Sequence, residues 1–152
     1  MMDTSSSTPP WRRLLAQGWY LWGLSWCYWA LRTTEPWAFR AGVRAFDRAL
    51  RLWPDFAAAL YRRGLIRGRE LGQPREGMAD LTRAIALVPS WPEPYLQRGL
   101  FARFHGDSRA ALDDLRRYVA LSADPSWRAE AERQIALIEA ELHAEADAGS
   151  ER

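Results

Sequence analysis

Phe46-Asp47-Arg48-Ala49-Leu50-Arg51-Leu52-Trp53-Pro54 is followed 35 residues later by Leu81-Thr82-Arg83-Ala84-Ile85-Ala86-Leu87-Val88-Pro89, and Leu115 to Ala123 follows 34 residues after that. The first two segments align without a gap. A period of this length is the mark of stacked two-helix units, in which one supersecondary element is copied along the chain. Working outward, each segment is preceded by a large apolar residue with a small one four positions on: Trp26 and Ala30, Leu60 and Gly64, Tyr95 and Gly99. A spacing of four puts both residues on one helix face. Small residues recur at Gly42, Gly77 and Ala111, opening the later helix of each pair, 12, 13 and 12 residues after the earlier small residue. The extra residue falls inside one turn, Leu71-Gly72-Gln73-Pro74. An insertion confined to a turn leaves both flanking helices in phase, which a helix-turn-helix repeat tolerates.

These residues resemble the tetratricopeptide repeat over roughly Gly23 to Ala123, with a small residue on the first helix, a Gly-containing turn, a small residue on the second, then Phe or Leu, Ala and Pro. The resemblance implies an all-α, right-handed superhelix of about three helix pairs plus a C-terminal capping helix. Small residues then let paired helices approach, while Phe46, Leu81 and Leu115 fill the space between successive pairs. The third repeat departs from the pattern, with Tyr118 in place of Ala and Ala123 in place of Pro, as suits a last repeat facing a cap. Asp124-Pro125-Ser126 carries helix-start signals, and Trp127, Ala131, Ile135, Ile138 and Leu142 form one apolar stripe on the capping helix. The expected organisation is a flexible segment 1–10, one helical domain 11–146 and a flexible tail 147–152. Within the domain lie a Trp-rich first helix 11–32, the repeats at about 23–123 and a cap 126–146.

Composition narrows the function. Of 152 residues, 48% are hydrophobic and 26% charged, the balance of a folded globular chain. The net charge of +2 is small, and all 21 cations are arginine, so the sequence gives no reason to expect a nucleic-acid partner. One cysteine, Cys27, makes no intramolecular disulfide, and His105 and His143 do not form a cluster at metal-ligand spacing. Neither a metal nor another cofactor is expected. Convergent nucleophile, acid and base residues are also missing, so the chain reads as a non-enzyme. His105, before Gly106-Asp107, suits a helix C-terminus. Asp113-Asp114 and the pair Glu130 and Glu132 read as solvated carboxylates. Gly64 and Gly72 have places in the repeat, whereas Gly68 has none.

By the resemblance, the first helix of each pair lines a concave groove. The groove residues are then Tyr61, Leu65 and Arg69, followed by Leu96, Leu100, Arg103 and Phe104, although Leu65, Leu96 and Leu100 also read as core. Aromatic and aliphatic anchors beside arginine suit a peptide or helix of another protein, as an adaptor, scaffold or assembly factor would bind. A carboxylate clamp built from lysine and asparagine is not expected, since the chain contains neither residue.

Leu14 to Leu31 is eighteen residues without a charge, bounded by Arg12-Arg13 and Arg32. Trp19, Trp22, Trp26 and Trp29 fall on one stripe, and the other faces are apolar too, more than packing on one repeat requires. Three coverings stand open: the core or a homodimer through this helix, a membrane surface, and a membrane span. The second and third would make the chain a membrane-associated complex subunit anchored through 11–32. The expected location is cytoplasmic, free or at the membrane.

Overall fold

The computed structural model describes residues 8–33 and 35–150, with side chains to 148. The expected lead-in 1–10 therefore falls largely outside the described residues. Among these residues there are seven helices and no strand: α1 (Pro10–Thr33), α2 (Pro36–Leu52), α3 (Ala57–Arg69), α4 (Pro74–Leu87), α5 (Pro92–Phe104), α6 (Ser108–Leu121) and α7 (Pro125–Ser150). Proline opens five of them, where its missing N–H costs nothing and its fixed φ is already helical. Asp107 caps α6 by accepting from the Ala110 N–H at 3.0 Å. Asp124 Oδ1 accepts from Ser126 and Trp127 N–H groups at the start of α7. The connections after α3 and α5 pass through Gly72 (φ 63°) and Gly106 (φ 80°), a left-handed conformation that favours glycine. The terminal helix continues to Ser150, past the expected end near Ala146.

Two compact units divide the chain, residues 1–87 and 88–152. In the first, α1 packs on α2, α2 on α3 and α3 on α4; in the second, α5 packs on α6 and α6 on α7. The repeat positions Phe46, Leu81 and Leu115 are all fully buried, as is Leu60 in the first unit. Fully burying each such side chain contributes about 1.5–3 kcal/mol.

Glycine sets the closeness of the α3/α4 pair. A Cβ on Gly64 would come within 2.9 Å of the Gly77 carbonyl oxygen, and a Cβ on Gly77 within 2.8 Å of the Gly64 oxygen and 3.1 Å of the Gly68 nitrogen. Gly68, without a role in the sequence pattern, thus belongs to the same crossing. In α5/α6 the corresponding contact is Gly99 against Ala111. The first pair differs. A Cβ on Gly42 would meet Cys27 Sγ at 2.8 Å and the Gly23 oxygen at 3.2 Å, while Ala30 packs with Ala38 and Phe39. Helix α1 reaches to residue 33 before a short connection, so the crossing moves back towards its middle, and Ala30 is not the counterpart of Gly64.

The whole of α1 is the leading helix of the first pair, because Ala16, Gly23, Cys27 and Ala30 form one buried stripe. Tyr20 extends this packing, with ring centroids 5.8 Å from Phe46 and 5.0 Å from Phe56. Among the described residues no helix is long and apolar enough to cross a membrane, which overturns the spanning reading of residues 14–31. The reason is chemical: aromatic rings, Gln17, Gly18, Gly23 and Ser25 occupy places where a span needs aliphatic side chains.

In the second unit, Ala131 and Ile138 of α7 are fully buried, and Ile135 and Leu142 are half-buried. Trp127 corrects the expected stripe: it is 52% exposed, lying in the first turn of α7, before the buried positions begin. Arg116 pairs with Glu139 at 2.6 Å and ties α6 to α7.

Candidate functional site

Two surfaces carry the candidate residues. On α3, Tyr61 and Leu65 are half-buried and Arg69 is exposed. Leu60 and Gly64, on the neighbouring face of the same helix, are buried in the pair. On α5 the set divides. Leu96 is 5% exposed and serves the core of the second unit, the other of the two readings its sequence position allows, and so is not open to a ligand. Arg103 is committed to the cap, donating to Gln134 Oε1 at 2.7 Å and to Glu141 at 3.2 Å. Leu100 is half-buried, and Phe104 is 84% exposed, the most exposed large hydrophobic among the described residues. The α3 and α5 sets belong to different units.

An ion-pair network lies between the helices. Arg63 grips Asp80 through two bonds, Nε to Oδ2 at 2.8 Å and Nη2 to Oδ1 at 2.5 Å, and donates to Asp47 at 2.6 Å. Arg67 adds a bond to Asp80 at 3.1 Å. Burial alone would lower the Arg63 pKa, yet the bonds and charges of Asp80 and Asp47 outweigh it and raise the value above its usual one. Arg98 and Asp114 repeat the arrangement in the second unit with two bonds of 2.7 Å. Asp114 is therefore buried and ion-paired, not solvated. The signal was present: Arg63 and Arg98 directly precede the small residues Gly64 and Gly99, and Asp80 and Asp114 directly precede Leu81 and Leu115. These pairs hold helices together.

The second surface belongs to α1 and α2. Trp26 lies 5.8 Å from Trp22, 6.1 Å from Trp29 and 5.5 Å from Trp37 between ring centroids, and Trp29 lies 5.0 Å from Trp37. Four indoles thus form one cluster, and three of them, Trp22, Trp29 and Trp37, remain 41–53% exposed. They line an open recess of 320 Å³ with Ser25. Trp19 stands further along α1 under the guanidinium of Arg48, whose Cζ is 4.4 Å from the ring centre. Trp37 was not legible as part of this stripe because it sits on the next helix.

Burial pushes the Cys27 thiol up to about 11, so it stays protonated and un-nucleophilic near neutrality. Among the described residues no group of three or more His, Cys, Asp or Glu side chains could hold a metal ion.

Comparison with known proteins agrees with the geometry of the helix pairs. No protein-family model matches the chain, and no curated protein does. Solved structures do. The first TPR of Spaghetti (RPAP3), bound to the HSP90 peptide SRMEEVD, matches at 17% identity and TM-score 0.72, over 86% of this chain and 95% of that one. The Yersinia enterocolitica type III secretion chaperone SycD, in complex with a peptide of the translocator YopD, matches at 14% identity and TM-score 0.65, over 93% and 99%. MamA matches at 21% identity and TM-score 0.60, and there the chain spans 69% of its own length but only 57% of MamA. Three helix pairs with small residues at each crossing, a closing helix and these likenesses together establish that the chain has the tetratricopeptide-type helical-repeat fold.

Proposed function

We propose that the chain is a non-catalytic docking module, an adaptor or assembly factor that takes a peptide or helix of another protein. The observation that carries this reading is the division of labour on the leading helices. One stripe of α3 and α5 is spent on the pair, while Tyr61, Leu65 and Arg69 on α3, and Leu100 and Phe104 on α5, are left partly or wholly open. Aromatic anchors beside a guanidinium are the side chains that dominate binding energy at interfaces. Peptides bound to the Spaghetti and SycD structures support the same use of the fold.

The test is a variant carrying Tyr61→Ala and Phe104→Ala, compared with the unaltered chain for affinity towards the partner that crosslinks to it in its native host. Loss of affinity by about tenfold or more, with helical circular dichroism retained, is expected from removing two anchors. Undiminished binding refutes the assignment. A second reading, attachment to a membrane surface, draws on Leu14, Leu21, Tyr28 and Leu31 of α1, which are 62–68% exposed. Flotation with lipid vesicles that is lost when these four become serine would support it.

A further inference from the structure

The α1/α2 face that holds the tryptophans has the geometry of a seat for one more helix. Leu15, Trp19, Trp22, Trp26 and Trp29 follow one another at spacings of four and three along α1. Trp37, Ala41, Arg44 and Arg48 do the same along α2. Two adjacent helices with such rows leave a furrow that accepts the knobs of a third helix. Three open recesses of 580, 180 and 320 Å³ run along the furrow, sharing Trp22. From Leu15 to Trp29 the row covers about 21 Å, which matches a partner helix of about four turns. Recesses of this kind suit the inserted side chains of a helix laid along the furrow.

Charge selects the partner. No carboxylate occurs on α1, and the one acid of α2, Asp47, is turned to Arg63 and Arg67. Arg44 and Arg48 border the furrow, are exposed, and make no ion pair among the described residues. Elsewhere Arg63, Arg67, Arg98, Arg103 and Arg116 are all matched by carboxylates. Two exposed cations without an ion pair among the described residues thus stand beside the indoles, where the guanidinium of Arg48 already lies over Trp19.

We infer that this face binds an acidic amphipathic helix of another protein, its apolar side chains entering between the tryptophans and its carboxylates meeting Arg44 and Arg48 in forked bonds. Neither Tyr61 nor Phe104 is among the residues of this face.

The experiment pans the full chain against a displayed library of helical peptides of about 16 residues, counter-selected on Arg48→Glu, and measures synthetic winners by tryptophan fluorescence. Winners are expected to carry Glu or Asp beside apolar residues at three- and four-residue spacing. Their affinity should fall about tenfold or more in Trp22→Ala and in Arg48→Glu, and exchanging their glutamates for lysine should restore binding to Arg48→Glu. The double variant Tyr61→Ala/Phe104→Ala should bind them as the unaltered chain does, which keeps this result distinct from the groove reading. Winners without acidic residues, or none that distinguishes Arg48→Glu, would overturn the inference. So would Trp22-dependent binding of phosphatidylglycerol vesicles, or Trp22-dependent self-association in sedimentation, without any acidic peptide bound.

Discussion

Asp80→Ala removes the acceptor at the centre of the first unit's ion-pair network. The carboxylate is 6% exposed and accepts three guanidinium bonds, two from Arg63 and one from Arg67. Without it, Arg63, 14% exposed, keeps only its bond to Asp47 at 2.6 Å within this network. Breaking a buried pair from one side costs about 3–5 kcal/mol, because the surviving charge stays desolvated. The remaining bond to Asp47 places the expected loss at the lower end, about 3 kcal/mol. For a chain of this size that lowers the melting temperature by about 6–12 °C. Thermal unfolding followed by circular dichroism measures it, and hydrogen exchange should place the lost protection in α3 and α4. Asp114→Ala is the internal comparison: Arg98 is 24% exposed, so water compensates more, and the loss should be smaller, about 2 kcal/mol. Replacing both partners, Arg63→Met with Asp80→Leu, should recover most of the stability, since no charge is then left buried. A shift under about 2 °C for Asp80→Ala, or a double variant as unstable as the single one, would refute the reasoning.

Three further outcomes are expected. Gly64→Val should cost about 1–3 kcal/mol in urea unfolding, because its Cβ lands 2.9 Å from the Gly77 oxygen. Gly18→Ala, with nothing within 4 Å of the new Cβ, should instead stabilise by about 0.5–1 kcal/mol; equal effects of the two substitutions would remove the close-crossing account. Cys27 should resist Ellman's reagent at pH 8 in the folded chain and react once urea unfolds it. Since folding raises this thiol from 9.0 to about 11, the folded state holds the proton more tightly, so its contribution to stability is complete below pH 9 and fades as pH climbs towards 11. A Cys27→Ala variant with the same alkaline decline would assign that decline to another group.

The repeat was legible because its apolar positions obey sterics that recur every 34 or 35 residues. Phe46, Leu81 and Leu115 share one environment, so a single alignment finds all three, and the proline helix starts and glycine turns follow from backbone limits alone. The ion pairs were harder to see. An arginine on a helix usually reaches solvent, and only the packing of α4 against α3 shows that Arg63 points inward to Asp80. The register of the first pair is hidden for a related reason: Gly42 and Ala30 satisfy the sequence spacing, but the longer α1 and the shorter connection bring Gly23 and Cys27 to the crossing. Of the groove residues, Leu96 and Arg103 could not be sorted by side-chain type, because their roles depend on their own pair and on the cap. Trp37 escaped notice because helical periodicity relates residues within one helix, and the indole cluster is shared by two.

That cluster has an optical consequence. Four indoles with neighbouring ring centroids 5.0–6.1 Å apart, held at fixed mutual angles, are close enough for their excited states to mix. Exciton coupling of this kind adds paired positive and negative bands to the far-ultraviolet spectrum, so helix content taken from ellipticity alone would be misjudged. The same bands would collapse when the indoles part, making the chain its own unlabelled reporter of occupancy at the α1/α2 face.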